Sequence, residues 1–508
     1  MRTSKARKYR MNHLPPELGT VPGIKIAVDI ATLKPIQGGK GMGGNVMRIT
    51  SLLILVASCT SAMADAPKNV LFLFADDQRY NTIHALGNND IETPNLDRLV
   101  ERGTAFTNAY IMGSKHPAVC MPSRAMLMTG RPLFDFGDSP GRVPDSFQLM
   151  PAQFRVAGFD TWFTGKWHQD GKAFNRAFAG GDAIFFGGMH DHFAIPVHPY
   201  SPEAQYGKDN AVIHQGKHSS IIFADAAIDF LEHDISEKPF FMTVAFTAPH
   251  DPRTAPQEYH DKYDAATLPT PPAFLPEHPF DNGELHIRDE ELAPFPRTPE
   301  IVRQHLADYY AMITHLDFEI GRVLAALEAA GHADDTLIIF SADNGLAVGN
   351  HGLMGKQNLY EHSVRVPLVF TGPGIAEGER REALVYISDL FPTLVELFHL
   401  PASEEHYARS FAPALLGKED RGRDSVAFTY KDVQRGVRMG PWKLIRYDAG
   451  GEQHVQLFNL DDDPDERNNL AELPEQQERV KELTALLIAE LEAQGDPLAK
   501  SPDAAIFR

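Results

Sequence analysis

Asn69 to Phe74 reads NVLFLF, a continuous apolar run that leads through Ala75 into Asp76 and Asp77. So short a run, without polar alternation, is what a central strand covered on both faces requires. The pattern returns twice. Pro239 to Phe246 (PFFMTVAF) runs into Thr247-Ala248-Pro249-His250, and Thr336 to Phe340 (TLIIF) runs into Ser341-Ala342-Asp343-Asn344-Gly345. Between these strands lie helical patterns over Pro94 to Arg102, Ser220 to Glu232 and Pro299 to Ala330. Strands alternating with helices predict an α/β fold with a large, mostly parallel sheet flanked by helices, whose ligands gather outside the carboxyl ends of the strands. The polar residues at those ends are therefore expected to converge.

Downstream, Val366 to Phe370 reads as a further strand and Asp389 to Phe398 as a helix. Near residue 420 the pattern changes to short alternating strands such as Val426 to Tyr430 and Trp442 to Tyr447. They predict a smaller antiparallel sheet, closed by an amphipathic helix from Gln476 to Gln494. The expected organisation is a large domain over 65–420 and a small C-terminal α+β unit over 421–508. The Pro-rich stretch from Leu268 to Phe295 is weakly periodic and reads as an extended surface loop.

The chain has 508 residues, 43% hydrophobic and 23% charged, a balance that suits a folded soluble protein with a sizeable core. Its formal net charge of -20 argues against non-specific binding to nucleic acid or anionic membrane, so an anionic ligand needs a locally basic pocket. Residues 1–46 carry Arg2, Lys5, Arg7, Lys8 and Arg10 without hydrophobic periodicity, and read as disordered or as an over-extended start. From Met47, Arg48 gives a basic region, Leu52 to Val56 an apolar one, and Ala62-Met63-Ala64 a small-residue cleavage site, which together predict a signal peptide over 47–64. That apolar run is far shorter than the ~20 residues that span a bilayer, and no transmembrane segment is expected. Export to the periplasm or outside the cell follows. Val56-Ala57-Ser58-Cys59 also resembles a lipobox, which would make the chain a lipoprotein through Cys59. Removal of the leader leaves Cys120 as the remaining cysteine and excludes an intramolecular disulfide. A lone thiol, taken by itself, is most often an inert buried residue.

Its surroundings change that reading. Cys120-Met121-Pro122-Ser123-Arg124, continued by Thr129-Gly130, resembles the C-x-P-S-R-x-x-x-x-T-G signature of the type I sulfatase family, within the alkaline-phosphatase-like superfamily. Pro122 suits a first helical turn and so places residue 120 at a helix N-terminus, where free N–H groups and the helix dipole favour an anion. The resemblance implies a sulfuric ester hydrolase in which a formylglycine-generating or anaerobic maturation enzyme oxidises Cys120 to formylglycine, whose hydrate is the nucleophile. It also implies a metal site of Asp76, Asp77, Asp343 and Asn344, completed by the modified Cys120. Four oxygen-bearing side chains suit calcium, or less well magnesium, rather than zinc.

Gly165-Lys166-Trp167-His168 resembles the family's second signature, G-K-W-H-L-G, and departs from it at Gln169-Asp170. By that resemblance Lys166 binds sulfate, His168 assists the hydrate, and Arg124 supports the hydrated aldehyde. His250 and Lys356 match the positions for leaving-group and sulfate contact. Lys115, His116, His190, His192 and His351 are further candidates for the pocket wall. The twelve-residue step from Asn344 to Lys356 is similar to the carbohydrate-acting members, which points to a sulfated polysaccharide or oligosaccharide, with choline sulfate or an aryl sulfate as alternatives. A phosphomonoester or phosphonate hydrolase is the rival within the superfamily. A silent binding protein for sulfated glycans, with Cys120 never oxidised, is the rival outside enzymes.

Overall fold

The first apolar run forms strand β1 (Asn69–Ala75), buried along its whole length. It pairs in parallel with β5 (Phe240–Ala245) on one side and β6 (Thr336–Ala342) on the other. Apolar side chains on both faces explain why this strand is central, since each face must be covered by helices. The computed structural model describes residues 66–139, 141–401, 407–501 and 504–507. The leader expected over 47–64 and the candidate lipid site Cys59 lie outside the described residues.

Five more strands complete the large sheet: β2 (Thr104–Phe106), β3 (Asp160–Lys166), β4 (Gly180–Phe185), β7 (Leu368–Thr371) and β8 (Glu379–Arg381). The order is β8-β2-β7-β6-β1-β5-β3-β4. All pairings from β6 to β4 are parallel, whereas β7 is antiparallel to both β6 and β2. The sheet is therefore mostly parallel, as expected. The strand read over Val366 to Phe370 divides at Pro367: Arg365–Val366 pairs with Ala109–Tyr110 in a separate small sheet, and β7 starts one residue past the proline. Proline has no N–H to give to a ladder, which accounts for the break.

Helices α1 (Pro94–Glu101), α2 (Cys120–Thr129), α3 (Ser219–Asp229) and α4 (Pro299–Ala329) pack around this sheet. Thr298 caps α4 by accepting from the Ile301 amide at 3.3 Å, with Pro299 in its first turn. Asp317 of α4 accepts from the Leu96 amide at 2.7 Å and from the Asn95 amide, and so takes up the open N–H groups of α1.

The C-terminal strands β9 (Ser425–Tyr430), β10 (Gln434–Met439), β11 (Trp442–Ala449) and β12 (Glu452–Asn459) form an antiparallel meander. Leu483, Leu487 and Leu491 recur every four residues on α5 (Gln477–Gln494) and bury one stripe against Ala427, Val437, Leu444 and Leu457 of this sheet. The two residues Gly113–Ser114, just before α2, add a parallel strand at the edge of β9.

The stretch from Leu268 to Phe295 departs from expectation. It has little regular structure and much of it is exposed, but His278, Asn282, Asp289 and Glu290 are buried, so it is anchored rather than free on the surface. The Glu290 carboxylate accepts from the amides of Met354 at 2.8 Å and Gly355 at 2.9 Å, and pairs with Arg297. A proline-rich segment cannot satisfy its neighbours through a backbone ladder, so buried side chains do so and pin it onto the loop before Lys356.

Candidate active site

The carboxyl ends of four adjacent strands meet the N-terminus of α2. Asp76 and Asp77 follow β1, Asp343 and Asn344 follow β6, His250 lies past β5, and Lys166 ends β3 with His168 two residues beyond. Cys120 is the first residue of α2. All ten residues expected from the sequence are buried within this one region. Local sequence explains part of the convergence. Gly165 has φ +100, and a Cβ there would lie 1.8 Å from the Ala245 carbonyl oxygen, so only glycine lets the end of β3 approach β5 this closely. Asp77 (φ 67) and His168 (φ 61) adopt the left-handed conformation, which non-glycine residues enter at a cost.

Two lysines bracket the Cys120 sulfur. Lys356 Nζ lies 3.3 Å and Lys166 Nζ 3.6 Å from Sγ. Each is paired with one of the two aspartates: Lys166 with Asp76 at 2.5 Å, and Lys356 with Asp77 at 2.6 and 2.8 Å. Arg124, one turn into α2, donates from Nε to Asp343 at 2.7 Å and from Nη1 to the Lys166 carbonyl at 2.6 Å. Asn344 Nδ2 donates to Asp77 at 2.7 Å, and the Asp77 amide donates to Asp343 at 3.0 Å. His250 Nε2 lies 3.6 Å from Asp77, while its Nδ1 is 2.7 Å from the Asp251 carbonyl.

Burial sets the electrostatics. It pushes the Asp76 carboxyl up to about 8, assisted by the neighbouring Asp343 and opposed by Lys166. It pushes the Cys120 thiol up to about 12 despite Lys166 and Lys356, so an unmodified thiol here is a poor nucleophile at neutral pH. His168 and His250 are held well below the usual imidazole range, first by burial and then by the nearby lysines. Lys356 is held well above its ordinary value, because Asp77 and its other anionic neighbours outweigh its burial.

Three carboxylates and an amide oxygen in this enclosure suit a hard cation. Asp76 Oδ1 and Asn344 Oδ1 are buried without a hydrogen-bond partner, as unfilled ligand atoms would be. Ligand atoms of Asp76, Asp77, Cys120 and His250 lie within 4.8 Å of one another, which brings His250 closer to the cation position than the sequence suggested.

The remaining candidates divide. His192 is buried behind the pocket, with Nε2 2.9 Å from the His250 carbonyl, and so supports the turn that carries His250. His351 stacks on Tyr360 at 3.8 Å and contacts the Glu466 carbonyl at 3.0 Å, tying the loop before Lys356 to the segment after β12. His190 is exposed, and Lys115 pairs with Asp138. Residues absent from the sequence reading line the pocket instead: Met189, Ile287, Arg288, Asp289 and Gln357. None belongs to a periodic element or a signature, although the sequence does place Asp251, which pairs with Arg288, directly after His250.

Comparison with known proteins identifies the family and the fold. The sulfatase family model matches residues 68–400, and the model for the C-terminal part of N-sulphoglucosamine sulphohydrolase matches 349–494. The chain belongs to the sulfatase family. It is a type I sulfatase of the alkaline-phosphatase-like superfamily, and hence a sulfuric ester hydrolase. A sulfatase of Formosa agariphila is 28% identical over 82% of this chain and 86% of its own length. An N-acetylglucosamine-6-O-sulfatase of Bacteroides thetaiotaomicron is 25% identical over 85% of this chain and 88% of its own. A solved structure of a protein with its substrate D-glucosamine-2-N,6-O-disulfate matches the fold with a TM-score of 0.71 at 22% identity, covering 86% of this chain and 100% of that one.

Proposed function

We propose that this sulfatase removes sulfate from a sulfated carbohydrate, with Cys120 converted to formylglycine by a maturation enzyme and calcium held by Asp76, Asp77, Asp343, Asn344 and the modified residue. The reading rests on one observation above all: the Cys120 sulfur sits at the N-terminus of α2, 3.3 Å and 3.6 Å from two lysine ammonium groups. Oxidised and hydrated, this residue would supply the hydroxyl nucleophile, and a calcium ion held by Asp76, Asp77, Asp343 and Asn344 would supply fixed positive charge for the sulfuryl oxygens.

The other roles fall to the chain's own side chains. Lys166, Lys356 and the first amides of α2 hold the anionic oxygens and stabilise charge that grows on them in the transition state. His250 gives Nδ1 to a carbonyl, which leaves Nε2 to carry the exchangeable proton. Its depressed pKa leaves Nε2 unprotonated at neutral pH, so His250 serves a departing alkoxide only after taking up a proton there. To His168, which burial keeps neutral at pH 7 and whose buried Nδ1 has no partner, we assign acceptance of a proton from the nucleophilic residue. Arg124 orients the backbone of Lys166 and the Asp343 carboxylate together.

The carbohydrate assignment is supported by the N-acetylglucosamine-6-O-sulfatase relative and by the twelve-residue step from Asn344 to Lys356. The leader read over 47–64 supports export, and among the described residues no helix is long and apolar enough to cross a membrane. The test is release of inorganic sulfate by matured protein from a panel of sugar sulfates, beside phosphate esters of the same sugars. Preferential sulfate release is expected. Faster phosphate release, or no release from any ester, would sink the proposal.

A further inference from the structure

The pocket at Cys120 is lined in part by residues outside the signatures that carry Cys120 and Lys166. Its volume is about 250 Å³, and Met189, Ile287, Arg288, Asp289 and Gln357 form part of its wall. Asp251 and Asp289 are buried, whereas the Arg288 side chain between them keeps 42% of its surface exposed. Arg288 Nε donates to Asp289 at 2.8 Å, and its two terminal nitrogens lie 3.1 and 3.3 Å from the Asp251 carboxylate. Gln357 Nε2 donates to the other oxygen of Asp289 at 2.7 Å, which fixes that carboxylate from behind.

Two features define what such a wall can bind. The first is charge: two carboxylates to one guanidinium leave this part of the wall net negative, which disfavours a sulfate or carboxylate placed beside it. The second is unused hydrogen-bonding capacity. Arg288 Nη1 also contacts the thioether sulfur of Met189, a weak acceptor that a hydroxyl oxygen would replace with gain. The Asp289 carboxylate, which lines the pocket, retains lone pairs beside it, so acceptor and donor stand next to each other, as neighbouring hydroxyls require. Among the described residues lining the pocket there is no Phe, Tyr or Trp to face a quaternary ammonium, and its aromatic rings are the imidazoles of His168 and His250.

We infer that Arg288 and Asp289, braced by Asp251, bind free hydroxyls on the carbons flanking the sulfated position, so that the enzyme selects sugar rings with no second anionic group beside the scissile ester. This rests on the carbohydrate reading above and narrows it.

The experiment compares matured wild type with Arg288→Ala and Arg288→Lys on galactose and glucose monosulfates, on the disulfate with both groups on neighbouring carbons, and on 4-nitrophenyl sulfate. Wild type should use its best monosulfate at least about 10-fold better than the matching disulfate. Arg288→Ala should lower kcat/KM on that monosulfate by about 10-fold or more, chiefly through KM, and by at least about 5-fold more than it lowers kcat/KM on 4-nitrophenyl sulfate. Arg288→Lys keeps the charge but not the fork, and should recover only part of the loss. Equal losses on sugar and aryl esters would show a structural role and overturn the inference, as would a disulfate used as well as the monosulfate. Turnover of the aryl ester with none of any sugar sulfate would overturn the carbohydrate reading itself, and this inference with it.

Discussion

Lys356 reaches both Asp77, at 2.6 Å, and the Cys120 sulfur, at 3.3 Å, so it spans the metal side and the nucleophile side of the site. Lys356→Ala in matured enzyme should lower kcat by about 10²–10³-fold, the usual cost of removing one preorganised charge from a water-poor site. Steady-state kinetics on the best sulfate ester would check it, and a loss confined to KM would mean that Lys356 binds substrate without favouring the transition state. At this scale the sequence was most informative where chemistry restricts residue type. Cys120, Lys166 and His168 could be read because they stand in stretches that resemble the family's signatures, and the acidic pairs because they follow apolar strands. Arg288 and Asp289 could not, since their role comes from the folding of an irregular segment over the pocket. His192 was legible as a nearby polar group but not as a support for the His250 carbonyl, because that contact joins residues 58 apart.

Elements set the precision of the site, and Gly165 shows how. Its positive φ and the 1.8 Å approach of a Cβ to Ala245 mean that Gly165→Ala must spread β3 from β5, just before Lys166. We expect a destabilisation of about 3 kcal/mol or more, read from denaturant unfolding, together with lost activity. Gly158→Ala is the control. Its φ is also positive, +97, but nothing lies within 4 Å, so it should cost only about 1–2 kcal/mol and leave turnover unchanged. Strands β1, β5 and β6 were legible to within a residue or two because they are apolar almost throughout, whereas β2, β3, β4 and β8 of the same sheet carry polar residues or are short and were not read. The break at Pro367 and the packing of residues 268–295 were not, since both depend on which tertiary partners are available.

The whole molecule buries many ionisable groups, and that shapes its response to pH and metal. Burial holds His192, His278 and His305 at about 4 and His351 at about 3. His168, His218, His250 and His362 are held well below the usual range. Their folded pKa values are depressed, so the unfolded chain binds more protons, and stability present above pH 6.5 is lost as pH falls towards 4. Asp76, Asp251, Glu290, Asp317, Asp465 and Glu466 are shifted upward and act in the opposite sense, but the eight imidazoles outnumber these six carboxyls. The melting temperature should therefore fall by roughly a few degrees or more between pH 7 and pH 5, and a flat or rising value would contradict this balance. Calcium should raise the melting temperature at pH 7, since a cation that binds only the folded chain stabilises it and offsets the crowding of Asp76, Asp77 and Asp343. Scanning calorimetry with calcium and with a chelator measures the difference; identical curves would argue against a calcium site.

The central claim is that Cys120 does not act as a thiol. Mass spectrometry of the peptide His116 to Arg124, from protein expressed with its maturation machinery, tests it directly. The account predicts the mass change that replaces CH2SH by CHO at Cys120. Unmodified thiol throughout, from cells in which that machinery is demonstrably active, would contradict it.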